Sequence, residues 1–225
     1  MTSDLLDIQA QLKKELEVQR SQLEASVALN GNSKINLSNK MFTLPDGSKD
    51  QGPLNCIILD WRYSRAYFPN DWDSNDKKPP VCSALDKNEA NLIPYPSSDD
   101  LQSETCPTCW ANVWGSRYPD SPKSRTKACK NTIILAVIPA DKQPTEDTTP
   151  WIISLPPTSI KAFTEFVTNL QNDSTLMPCQ VSVDLTMDPK QTYPKVEYSN
   201  IRPHKILADV LRIRTDAQTI LDNGS

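Results

Sequence analysis

Histidine is almost missing from this chain: His204 stands alone in 225 residues, and glycine occurs only five times. A lone histidine, far along the chain from the cysteines, cannot build a histidine-rich hydrolytic zinc site or an obvious Cys/His nucleophile pair. Five scattered glycines do not make a phosphate-cradling loop, and no such motif occurs. A membrane-length apolar run is also lacking, because the longest, residues 133–139, falls far short of the ~20 residues a spanning helix needs. The N-terminal stretch MTSDLLDIQAQLKKELE carries charges where a signal peptide needs an apolar core, so the expected location is intracellular with no membrane partner. Excess positive charge is absent as well. At a formal net charge of -4, any nucleic-acid site has to be a local basic patch on an acidic body.

What is present is proline and cysteine. Nineteen prolines describe a loop-rich chain with stiff connections, and 37% apolar residues suffice for a modest core. In a reducing compartment, a Cys-x-x-Cys joined by distant cysteines points to a metal site before a disulfide framework. Cys106 and Cys109 form the tight pair in the turn CPTC, and Cys129 follows in KACKN. Cys56 and Cys179 lie in apolar, strand-like stretches (NCIILDW, CQVSVDL) as core thiols do, which leaves Cys82 in PPVCSAL as the fourth ligand. The expectation is a closed structural zinc held by Cys82, Cys106, Cys109 and Cys129. Reduced thiols, or a redox pair without metal, form the alternative.

Periodicity outlines the rest. Residues 4–28 carry Leu5, Ile8, Leu12 and Leu16 at helical spacing, and NGNSKINLSN reads as a linker, giving an N-terminal helix-and-linker unit over 1–40. MFTLPDGS reads as a short strand and turn. Five runs have strand character, at 55–63, 131–138, 151–155, 179–187 and 193–200. Between the third and fourth, TSIKAFTEFVTNL places Ile160, Phe163, Val167 and Leu170 on one helical face, with Thr158 or Ser159 as cap. A C-terminal helix over 204–221, within a unit at 201–225, presents Ile206, Val210, Ile213, Ala217 and Ile220 to the body or to a partner. The fold class is mainly β (α+β). Three strands, a helix and two strands follow the order of an OB-fold, here spanning 41–200, with a zinc-binding insertion at 69–130 between its first and second strands and helices on its flanks.

Rings and cations interleave around that insertion. Residues 117–130 hold Arg117, Lys123, Arg125, Lys127 and Lys130 against one acid, Asp120. The first strand and its exit add Trp61, Arg62, Tyr63, Arg65, Tyr67, Phe68 and Trp72, and the knuckle adds Trp110 and Trp114. A groove for single-stranded nucleic acid needs cations for phosphates and exposed rings for bases. The competing reading is structural: Trp61 and Tyr63 alternate with Leu59 as core positions do, and Trp110 and Trp114 are placed to pack around a metal knuckle. Catalysis is not expected, since Asp71, Asp73, Asp76, Asp99 and Asp100, the candidate metal-binding carboxylates, sit in polar loops with no apolar frame.

The succession FTLPDG, GPLNCIILDW, PPVCSA, CPTCWANVWGS, KACKNTIILAVIP and PWIISLPPTSIKAFTEFV, over roughly residues 41–187, resembles a family of bacteriophage single-stranded DNA-binding proteins. That resemblance implies zinc ligation by the same four cysteines, service in phage DNA replication or recombination beside other proteins of those processes, and the cytoplasm of a bacterial host. Two features depart from it: the approach to the last cysteine is SPKSRTKAC, without the family's glycines, and TDAQTILDNGS is not a strongly acidic tail. The alternative function is a zinc-stabilised interaction or virion-associated structural protein, with self-association through the terminal helices.

Overall fold

The computed structural model describes residues 33–38, 40–70, 78–120, 125–145, 148–204 and 208–223. The expected N-terminal helix, and with it Leu5, Ile8, Leu12 and Leu16, lies outside them.

The described residues are mainly β, a curled mixed sheet forming a half-barrel with two α-helices. Its strands are β1 (Lys34–Ser38), β2 (Met41–Thr43), β3 (Lys49–Asp50), β4 (Leu54–Tyr67), β5 (Cys82–Asp86), β6 (Cys129–Pro139), β7 (Trp151–Leu155), β8 (Val181–Met187) and β9 (Val196–Pro203). The helices are α1 (Pro157–Ser174) and α2 (Ala208–Asn223). Sheet order is β3-β2-β1-β7-β6-β4-β8-β9, with β5 also on β4. The spine is β4. One of its edges pairs with β6 from Cys56↔Pro139 to Tyr67↔Cys129, while the other takes β8 at Leu54–Ile57 and β5 at Tyr63–Tyr67.

Each helix covers one face of this sheet. On one side Phe163, Phe166 and Leu170 of α1 close over Cys56, Ile58, Leu135 and Val183. On the other, Val210, Ile213, Ala217 and Ile220 of α2 close over Ile57, Leu59, Ala136 and Ile138. The apolar stripe predicted for the C-terminal helix is therefore spent on the body, from Val210 onward.

A β-bulge between Ile58 and Asp60 decides which side chains of β4 go where. The extra residue, Leu59, reverses the alternation. Ile58 faces α1 and Leu59 turns to α2, after which Trp61 and Tyr63 return to the α1 side. Leu59 and the two rings thus belong to opposite layers, contrary to the expected alternation.

Two further expectations are corrected. The segment read as a linker contains β1, because Ile35, 1% exposed, inserts into the α1-side core beside Ile153 in the parallel β1–β7 pairing. Thr158 and Ser159 do not cap α1, which starts one residue earlier at Pro157, a position where proline's missing N–H is harmless. The hydroxyls instead hold β9: Thr158 Oγ1 donates to the Pro194 carbonyl at 2.7 Å, and Ser159 Oγ accepts the Val196 N–H at 2.9 Å. The strand expected from residue 193 begins at Val196, after Pro194, which has no N–H to give a ladder.

Candidate nucleic-acid interface

Beyond the bulge, Trp61, Tyr63, Arg65 and Tyr67 alternate onto one face of β4 and lead from the core towards the cysteine segment. Trp61 packs edge-on against Phe163 at 5.5 Å, and the Lys87 ammonium lies 5.6 Å from its ring centre. Tyr63 is half-buried against Ala84, Leu92 and Cys106. Both rings hold the fold together.

Arg62 and Arg65, expected at phosphates, are internal. Arg62 points to the α2 side, 6% exposed, with Nε 2.7 Å from Asp222 and Nη1 3.5 Å from Asp60. Arg65, 5% exposed, donates through Nη1 to the Cys106 carbonyl at 3.0 Å and through Nη2 to Glu89 at 2.8 Å. Guanidinium groups already paired inside the protein would have to abandon those partners to reach a phosphate.

The four candidate zinc ligands come from three places that the fold draws together. Register puts Cys82 and Cys129 opposite Tyr67 on its two flanking strands, so all three side chains leave the same face. Cys106 is fixed by its N–H to the Leu92 carbonyl at 3.0 Å, and Cys109 closes the turn with an N–H to the Cys106 carbonyl at 3.3 Å. All four thiols are free. Burial pushes the Cys106 thiol up to about 11 and the Cys129 thiol to about 12; the neighbouring cysteines add to both shifts and Arg65 opposes them. By type alone, four thiols are the donors that a structural zinc takes. Their arrangement is open: about two strand spacings, ~10 Å, separate the Cα atoms of Cys82 and Cys129, and among the described residues no group of three or more His, Cys, Asp or Glu is arranged to hold an ion. Ligation requires the strand ends and the turn to draw inwards.

The turn after Cys109 builds the exposed part of the site. Trp110–Asn112 form one 3-10 turn, Gly115 takes φ +87, a backbone shape suited to glycine, and Ser116 clamps the loop. Its hydroxyl donates to the Ala111 carbonyl at 3.1 Å and accepts the Ala128 N–H at 2.9 Å. An open recess of about 320 Å³ results, lined by Tyr67, Pro69, Asn70, Trp110, Ser116, Arg117, Tyr118 and Ala128. Tyr67 meets Trp110 edge-to-face at 5.6 Å. Arg117 donates to the carbonyls of Phe68 and Asn70, fixing the exit of β4 against the loop, and lies 6.0 Å from the Tyr118 ring centre. Beside the recess, Lys127 is held 2.9 Å from Asn112 Oδ1 and 5.0 Å from the Trp114 ring centre.

Tyr67, Trp110, Trp114, Arg117 and Lys127, expected from sequence, therefore converge. Trp110, Trp114 and Tyr118 are 48%, 71% and 46% exposed, unusual for large rings with a core within reach. Arg125 and Lys130 are exposed on the same segment. Trp72 and Lys123 lie outside the described residues, as do Asp71, Asp73 and Asp76, while Asp99 and Asp100 are exposed loop residues. Sequence reasoning overlooked Tyr118, although it stands beside Arg117 within the same run of rings and cations. No helix among the described residues is long and apolar enough to cross a membrane. No family model, curated protein or solved structure matches the chain.

Proposed function

We propose that this protein binds single-stranded DNA, without catalysis and without sequence preference, at the recess between the exit of β4 and the cysteine loop. The observation that carries the reading is the exposure of Trp110, Trp114 and Tyr118 next to Arg117 and Lys127 on an acidic protein. Each ring that stacks a base contributes about 1–3 kcal/mol, and stacking accepts every base, so the site reads single strands rather than base edges. Arg125 and Lys130 extend the cationic track.

The chain order supports an OB-like assignment. Taking β4, β6, β7, β8 and β9 as the five barrel strands, the first lies between the second and fourth, and α1 joins the third to the fourth. In this reading the barrel stays open, because β1 occupies the free edge of β7. Cys82, Cys106, Cys109 and Cys129 would hold a structural zinc, which supplies a cross-link between the loop and the strand ends and no reactive position. With the resemblance to phage single-stranded DNA-binding proteins, these features favour a role in phage DNA replication or recombination in the bacterial cytoplasm.

The test is binding of a fluorescent oligothymidine by Lys127→Gln and Arg125→Gln variants across a salt series. A cation that neutralises one phosphate should, when replaced, lower the slope of log affinity against log salt by roughly 0.7. Unchanged affinity and slope in both variants would remove the basic track from the account.

A further inference from the structure

We propose that Asn112 is a positioning residue of the interface: its amide holds Lys127 against Trp114, so that a cation for a backbone phosphate and a ring for an adjacent base are presented as one preset pair. This rests on the single-stranded DNA reading given above.

Asn112 is itself well fixed. It ends the 3-10 turn that starts at Trp110, and its N–H donates to the Cys109 carbonyl at 3.0 Å. Its Oδ1 accepts from the Lys127 ammonium at 2.9 Å and, at 3.4 Å, from the amide of Asn131 on β6, which ties the acceptor to the sheet. The ammonium so held stands 5.0 Å from the centre of the Trp114 ring, and that ring is 71% exposed. A surface lysine otherwise samples many rotamers, and ordering such a side chain at the moment of binding costs affinity. Here the lysine is ordered before a ligand arrives. The kind of acceptor matters as much as its place. An amide oxygen and the face of a ring orient the ammonium without cancelling its charge, and Glu89, the carboxylate whose field reaches Lys127, is itself paired with Arg65 at 2.8 Å. An aspartate at position 112 could make the same bond, but it would neutralise the cation that a phosphate needs.

The competing role is a brace that ties the turn to β6 through Asn131. Wild type, Asn112→Ala, Asn112→Asp, Lys127→Gln and the two double variants are compared for oligothymidine affinity across a salt series, with thermal melts to verify folding. Asn112→Ala is expected to weaken binding roughly 2- to 12-fold, the effect of one long side chain that has to be ordered on binding. Asn112→Asp is expected to lower the slope of log affinity against log salt by roughly 0.7, as removal of one phosphate-neutralising cation does. In the Lys127→Gln background both substitutions at 112 should have no further effect, because they act through the ammonium. A brace predicts equal losses for Ala and Asp at the wild-type slope, persisting without Lys127, and that result overturns the proposal. So does a Lys127→Gln protein that binds as wild type does. Should Asn112→Asp not fold, the cycle of Asn112→Ala with Lys127→Gln decides alone. If wild type retains no single strand, the DNA reading itself falls and this one with it.

Discussion

Removing the Asp60 carboxylate should unseat α2 from the sheet. This side chain is fully buried, yet it receives Gln218 Nε2 at 2.6 Å, the Trp61 N–H at 2.9 Å, Lys87 at 3.2 Å, Arg62 at 3.5 Å and Arg214 at 3.7 Å. Gln218 and Arg214 belong to α2, and Arg214 also donates to the Leu59 carbonyl at 3.0 Å, so the bulge of β4 and the last helix are fastened at one point. Asp60→Ala leaves the buried Arg62 with Asp222 as its remaining acid among the described residues. Arg62 keeps that partner, but the Gln218 amide, the Trp61 N–H, Lys87 and Arg214 all lose a buried acceptor, and removing one side of such a buried charged cluster costs about 3–5 kcal/mol, or roughly 6–20 °C of melting temperature in a chain of this size. The assay is urea unfolding followed by circular dichroism, with hydrogen exchange of the α2 amides to localise the loss. A change below about 1 kcal/mol, or exchange protection in α2 equal to wild type, would refute the reasoning.

The same carboxylate sets a pH dependence. Burial works to raise its pKa, but the Gln218 amide, the Trp61 N–H and Lys87 outweigh burial and hold it below the ordinary aspartate value of 3.8. Its contribution is present in full above that value and is lost as pH falls through the lowered folded-state pKa. Acid unfolding of wild type should therefore steepen below the ordinary aspartate range, and Asp60→Asn should flatten that part of the profile.

Four other outcomes are expected. Trp110→Ala should weaken single-strand binding roughly 5- to 150-fold, the range of one missing stack, without lowering the melting temperature by more than a few degrees; Arg62→Met should do the reverse, destabilising the fold while leaving the salt slope of binding unchanged. Asn200 holds φ +50 and donates its amide to Asp184 at 2.8 Å, so Asn200→Ala should destabilise more than Asn200→Gly, because only alanine adds left-handed backbone strain of about 1–2 kcal/mol to the missing bond. Cys129→Ser, or zinc chelation, should lower DNA affinity as well as local stability, because Trp110 follows Cys109 directly and packs on Tyr67 between Cys82 and Cys129; unaltered oligonucleotide affinity after complete chelation would separate the loop's order from metal.

Local pattern made the central strands and both described helices legible. The run WIISL carries its own boundaries, and the spacing of Ile160, Phe163, Val167 and Leu170 marks the buried face of α1 whichever residue starts it. The first strand of the sheet was obscured because KINLS offers two apolar residues among polar ones, and only the parallel pairing with β7 gives Ile35 a reason to be buried. The fates of the β4 arginines were equally hidden. Arg62 is neutralised by Asp222, 160 positions away, and Arg65 by Glu89, 24 positions away, so a local window sees only cations between aromatic rings. The bulge at Leu59 compounds this, since one added residue sends Arg62 beneath α2 while Trp61 stays under α1. By contrast, the exposed rings and cations of the cysteine loop were readable because most lie within one short stretch, although the exit of β4 completes the recess through Tyr67 and the Phe68 and Asn70 carbonyls.

The most direct measurement of the central claim is a tryptophan-fluorescence titration of the zinc-loaded protein with single-stranded oligonucleotides and the matched duplex, at low and at physiological salt. Stacking at the exposed Trp110 and Trp114 predicts quenching by single strands, little response to duplex, weakening by added salt, and loss of most of the quench in Trp110→Ala. No response to either nucleic acid, together with no retention of a single strand in a direct binding assay, would contradict the claim.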